Sequence, residues 1–275
     1  MAPFPPPDYR CELPGLTVHY TQAGTGQPLL LIHGSLCDYR YWRWQLPALG
    51  EQYRVIAPSL RGYWPQAYTQ ADPLFSISRH AQDMEAFIAT LEQPVHVLGH
   101  SRGAQVALDL ALRAPGLVRS LTLADPGFRL AGEADRPLFH GEMAARLSRG
   151  ETSEALAGFV DHANGAGTWR QMTSWFKTMV ADNGATLLSQ AQEAHVPVDP
   201  EQLRRLPCPL LLLGGAQSPE RYVSRLDALE AAVPSAVRKT IPLAAHGMNL
   251  ANPKAFNQAV AAFLADAGRD MAARR

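Results

Sequence analysis

The stretch Val95-His96-Val97-Leu98-Gly99-His100-Ser101-Arg102-Gly103 constrains this chain more than any other. An apolar strand pattern breaks into G-x-S-x-G, and a helical pattern resumes at once from Ala104 to Ala111. A serine on so sharp a strand-to-helix turn is strained, and bulky residues in place of Gly99 or Gly103 would collide with the strand or the incoming helix. The turn lifts the serine Oγ clear of the sheet. It also aims the first amides of the helix at one spot, where negative charge on a bound oxygen meets oriented N–H groups.

The surroundings of this turn carry the fold assignment. Short apolar runs alternate with amphipathic helical stretches, the pattern of a mostly parallel sheet covered on both faces. Strands are expected near 8–14, 17–22, 28–33, 54–58, 95–99, 119–124, 209–214 and 237–242, the first two as an antiparallel edge. Ile77, Met84, Phe87, Ile88 and Leu91 recur at helical spacing, as do Phe256, Val260, Phe263 and Leu264, and these read as core faces. With 275 residues, 47% of them hydrophobic, the chain can bury one substantial core.

The alternation stops after residue 126 and resumes near 207. Residues 1–126 and 207–275 are therefore expected to form the core, and 127–206 a helical lid inserted into it. Bulky residues in this insertion, Phe139, Phe159, Trp169, Met172, Trp175, Phe176, Met179 and Leu187, supply candidates for the wall of an apolar pocket, with Trp169, Trp175 and Phe176 singled out. Each can equally pack lid helices against one another.

Charge and cysteine usage exclude several classes. The 25 basic and 25 acidic residues balance and form no block of like charge, which argues against nucleic acid or an anionic membrane and for a small-molecule ligand. Cys11, Cys37 and Cys208 show no metal or disulfide spacing and read as reduced thiols of a cytoplasmic protein. The proline-rich start, Met1 to Pro7, has no basic segment followed by an apolar one, so neither export nor membrane insertion is expected.

Four further positions complete a candidate catalytic set around Ser101. Leu29-Leu30-Leu31-Ile32 runs into His33-Gly34-Ser35, where the Ser35 amide can pair with that of Arg102 as an oxyanion hole. His246 lies just beyond the last strand, at the carboxyl edge where open parallel sheets bind ligands, and histidine is the natural base near neutral pH. His33 and His100 are expected to bond backbone near the turn; His19, His80, His96, His140, His162 and His195 carry no supporting pattern. Asp38 reads as a helix cap, and Arg61 and Arg102 as structural ion partners.

The acid is the difficulty. In many proteins of this architecture it follows the seventh strand in a turn reading G-x-x-D, but here Gly214-Gly215-Ala216-Gln217 puts an amide in that place. An amide cannot stabilise an imidazolium as a carboxylate does. Asp125, at the end of the sixth strand and followed by Pro126-Gly127, takes the role, with Glu220 as the rival.

Through His33-Gly34, Arg61-Gly62, Gly99 to Gly103, Asp125-Pro126 and His246 the chain resembles α/β-hydrolase-fold proteins over nearly its full length. That resemblance implies a Ser, Asp, His triad, a helical lid, and neither metal nor organic cofactor. An acid on strand six resembles a subset that includes zearalenone-type lactonases, whose Gly-Ala-x-x-Pro turn is echoed at Gly215 to Pro219, and cofactor-free 2,4-dioxygenases of hydroxyquinolones. The latter share Asp-x-Arg, here Asp38-Tyr39-Arg40, and carry a histidine at the position of Cys37. The leading expectation is hydrolysis of an apolar or aromatic carboxylic ester or lactone through an acyl-enzyme. Cofactor-free oxygenolysis and a non-enzymatic ligand receptor are the alternatives. Dehalogenases and epoxide hydrolases of this fold place a carboxylate where Ser101 stands.

Overall fold

The computed structural model describes residues 7–66, 68, 70–133, 139–194 and 196–273, so most of the proline-rich start and His195 lie outside the described residues. The strands are β1 (Tyr9–Leu13), β2 (Leu16–Ala23), β3 (Pro28–Ile32), β4 (Arg54–Pro58), β5 (Val95–His100), β6 (Val118–Ala124), β7 (Leu210–Gly215) and β8 (Val237–Ile241). They form one sheet in the order β1-β2-β4-β3-β5-β6-β7-β8. β2 pairs antiparallel with β1 and β4, and every other pairing is parallel. The strand boundaries lie within about two residues of those read from the sequence.

The side-chain alternation of β3 explains both halves of the core. Leu30 and Ile32 pack with Met84 and Phe87 of α2 (Ile77–Ala89), Val106 of α3 (Arg102–Arg113) and Leu226 of α9 (Glu220–Ala232). Leu29 and Leu31 turn the other way, onto Leu46 of α1 (Gln45–Leu49) and Phe256 and Val260 of α11 (Pro253–Ala273). A strand buried on both faces must be apolar at every position. Each of these four residues is at most 1% exposed, and each contributes about 2–3 kcal/mol of burial.

Between β6 and β7 the described chain is helical: α4 (Phe139–Ser148), α5 (Thr152–Asn164), α6 (Thr168–Gln171), α7 (Ser174–Asp182) and α8 (Thr186–Gln192). Met143, Leu156, Val160, Phe176 and Met179 join this segment to the core cluster around Leu29 and Leu31. Polar ties fix its α7–α8 side. Asn183 Nδ2 donates to Asp38 Oδ2 (2.7 Å), Arg40 pairs with Asp182 (2.8 Å), Ser35 Oγ donates to Gln190 Oε1 (2.7 Å), and Arg102 pairs with Glu193 (2.5 Å). Asp38 also caps the turn at Arg40, as expected, and Arg61 pairs with Asp83 at 2.8 Å.

Among the described residues no helix is long and apolar enough to cross a membrane, and no group of three or more His, Cys, Asp or Glu could hold a metal ion.

Candidate active site

Ser101 sits between β5 and α3 with φ +54° and ψ −118°, outside the ordinary helical and extended regions. The flanking glycines are there for contact. A Cβ on Gly99 would lie 2.2 Å from the Gly103 carbonyl oxygen, and one on Gly103 2.3 Å from that of Ile32. Real Cβ atoms never approach so closely, so the turn excludes any other residue at either site. Ser101 N–H donates to the Ala124 carbonyl (2.9 Å) and its own carbonyl accepts from Gly127 N–H (3.0 Å), binding the turn to the end of β6. Among the described residues the Ser101 hydroxyl makes no hydrogen bond; it lines a cavity of about 420 Å³ together with Gly34, Ser35 and His246.

His246 lies in the loop between β8 and the short α10 (Met248–Ala251), 4% exposed. Its Nδ1 is 3.3 Å from Asp125 Oδ2, and Asp125 is fully buried at the end of β6 with φ +38°. The structure thus brings Asp125 and His246 into contact and His246 and Ser101 onto one cavity wall. Glu220 is elsewhere: it is exposed at the start of α9, accepting from Ser224 Oγ at 3.1 Å.

Several residues support this pair, and of these only His100 was assigned a role from sequence. Tyr222 stacks on the His246 ring (centroids 4.2 Å, 14° between planes), and His100 lies on it at 4.5 Å. His100 Nε2 bonds the His246 carbonyl at 2.8 Å, as a backbone-bonding role required. Ser218 Oγ donates to Asp125 Oδ2 at 2.5 Å, and Asn164 of α5 accepts from Gly247 N–H at 2.9 Å. Gly127 packs on Ser101 itself, since a Cβ there would lie 3.2 Å from Ser101 Oγ and 3.1 Å from Arg102 N. Pro126-Gly127 after Asp125 was the available signal for that glycine; Tyr222 had none, because an aromatic residue in an amphipathic helix reads as core.

Burial pushes the Asp125 carboxyl up to about 6, against the Ser218 hydrogen bond that pulls it down. Burial, then the Arg221 and Arg225 guanidiniums, pushes the His246 imidazole down. At neutral pH the pair therefore rests as carboxylate and neutral imidazole, the state in which a ring nitrogen can accept a proton.

The cavity wall is apolar away from Ser101. Trp175 and Phe176 line it, with Phe159 and Met172. Trp169 does not. It belongs to the internal packing of the helical segment, its backbone N–H donating to Asp161 Oδ1 (2.6 Å) and its ring under Lys177 Nζ (5.3 Å), while its neighbours Thr168 and Gln171 face the cavity instead. Met179 and Leu187 are buried in the core cluster, and Phe139 stands on a different cavity.

The sequence profile of the alpha/beta hydrolase family matches residues 29–259. This chain belongs to that family. A 2-hydroxy-6-oxo-6-(2'-aminophenyl)hexa-2,4-dienoic acid hydrolase of Metapseudomonas resinovorans is 26% identical over 263 residues, covering 91% of this chain and 88% of that protein. A soluble epoxide hydrolase of Corynebacterium sp. (strain C12) is 35% identical over 129 residues, which span 46% of this chain and only 44% of that protein. The solved enol-lactonase from Burkholderia xenovorans LB400 superposes with a TM-score of 0.80 at 17% identity, over 94% of this chain and all of that one, a likeness of fold.

Proposed function

We propose that this family member is a serine hydrolase that cleaves a carboxylic ester or lactone with an apolar or aromatic part. Ser101 is the nucleophile, His246 the general base and Asp125 the orienting acid; Ser35 and Arg102 offer the oxyanion its backbone N–H groups. The observation that carries this reading is the 3.3 Å contact from buried Asp125 to His246 Nδ1, behind a ring that shares its cavity with Ser101. With Nδ1 held by Asp125, Nε2 is the nitrogen left to take the serine proton. As Oγ attacks the carbonyl carbon, the C=O electron pair moves to oxygen and the proton passes to His246. Asp125 stabilises the imidazolium, and each oxyanion donor is worth roughly 3 kcal/mol in the transition state. Collapse expels the alkoxide, which takes the proton from His246, and water activated by the same ring releases the acid.

The helices from α4 to α8 act as the lid over this site, with the apolar portion of the substrate against Phe159, Trp175 and Phe176. The serine at the elbow separates this chemistry from that of epoxide hydrolases and dehalogenases, whose nucleophile there is a carboxylate. An activated aryl ester should give a burst of phenol equal to the enzyme concentration, and a fluorophosphonate should label Ser101. Ser101→Ala should lose both. Absence of burst and label in folded wild-type protein, or oxygen uptake with a hydroxyquinolone that persists in Ser101→Ala, would overturn the assignment.

A further inference from the structure

Ser101 stands where two unlike cavities meet. The first is the apolar one described above. The second, of about 1120 Å³, shares Ser35, Ser101, Phe159 and Ala163 with it but is lined by charge, including Arg102, Arg129, Arg221 and Arg225. Among the described residues, the carboxylates on that wall are Glu133, Glu142 and Glu193. Glu133 is held by Arg225 (2.9 Å), Glu193 by Arg102 (2.5 Å), and Glu142 by Arg146 outside the cavity (3.2 Å). Among the described residues no carboxylate pairs with Arg221. Its guanidinium bonds the His162 carbonyl oxygen and lies 4.6 Å over the Tyr222 ring, the same ring that stacks on His246. A planar fork already oriented by a carbonyl and an aromatic face keeps donors for an incoming oxyanion at little further loss of freedom.

We propose that the charged cavity is an anion subsite centred on Arg221, so that the enzyme takes amphipathic esters or lactones: an apolar group on one side of the scissile carbonyl and a carboxylate a few atoms away on the other. The hydrolytic reading above supplies the reaction, while the subsite itself is independent of it. Ser101 and Ser35 border both cavities, so a substrate whose carbonyl meets Ser101 can extend a different group into each, which sets this polarity; a wholly apolar substrate would leave the arginine wall unused.

Two matched pairs test it, since the carboxylate can sit on either side of the ester: monophenyl adipate against phenyl hexanoate, and phenylacetylglycolate against propyl phenylacetate. At low ionic strength kcat/KM for the charged member of at least one pair should exceed that of its neutral partner about tenfold, through KM. In Arg221→Met the ratio should fall to near one, and Arg221→Lys should recover part of it. Ratios near one in wild type, or a preference that survives Arg221→Met, would overturn the subsite. Calorimetry with 4-phenylbutyrate on Ser101→Ala separates this from the hydrolytic reading: binding should weaken about tenfold when Arg221→Met is added, whether or not any ester is turned over. Equal affinity in the two proteins would also overturn it.

Discussion

Removing the Ser218 hydroxyl tests the acid assignment more sharply than removing the acid. Asp125 is fully buried and its carboxyl already sits near 6, with Ser218 Oγ at 2.5 Å the foremost influence holding it down. A hydrogen bond to a charged group is worth about 1.5–3 kcal/mol, and one pH unit corresponds to about 1.4 kcal/mol. Ser218→Ala should thus raise the Asp125 carboxyl by about one to two pH units. In the proposed mechanism the competent state is ionised Asp125 beside neutral His246, so kcat/KM should fall as pH drops through the carboxyl's value. In wild type that acid limb should be centred near pH 6; in Ser218→Ala it should be centred at about pH 7–8. At pH 6 the variant should lose roughly tenfold, and at pH 9 the two proteins should nearly agree. The assay is the pH profile of kcat/KM for a neutral aryl ester, with Ser218→Thr as the conservative control. An acid limb that stays in place when the hydroxyl is gone would refute the claim that this carboxylate serves His246.

Other substitutions probe the rest of the site. Asp125→Asn should lower kcat by about 10⁴ without lowering Tm, because a buried amide replaces a carboxylate whose charged form burial disfavours, whereas Glu220→Gln should leave kcat within about twofold; a large loss confined to the latter would reverse the roles. Gly127→Ala puts a methyl 3.2 Å from Ser101 Oγ and should cost about a hundredfold in kcat/KM with the circular dichroism spectrum unchanged. Arg102→Met strands the 2%-exposed Glu193 side chain and should destabilise by about 3–5 kcal/mol, read by urea denaturation, with Glu193→Gln less harmful.

Much of the fold was legible because strands buried on both faces announce themselves as unbroken apolar runs, as Leu29 to Ile32 and Leu210 to Leu213 do. The turn at Ser101 was legible for a related reason: the contacts that forbid a Cβ at Gly99 and Gly103 leave a fixed spelling in the chain. Asp125, which the structure sets against His246, was singled out because Gln217 occupies the place where many such chains carry an acid, which turned the search to neighbouring strand ends. Ser218 and Tyr222 could not, since their contacts to Asp125 and His246 join residues 93 and 24 positions apart and only folding creates them. Trp169 misled for the opposite reason. Its size suggested a pocket wall, but helix phase decides which side of α6 meets the cavity, and a single turn of helix offers too few residues to read that phase.

The four polar couplings that join α7 and α8 to the strand-end loops have a consequence for how the chain comes apart. Arg102 opens α3 and pairs with Glu193 just past α8, and Asp38 caps its own turn and accepts from Asn183, so neither partner can leave without exposing an unmatched charge or donor on the other. Heating should accordingly melt these helices and the sheet in one calorimetric transition, and a truncated version spliced from β6 directly to β7 would inherit a raw surface rather than a finished one.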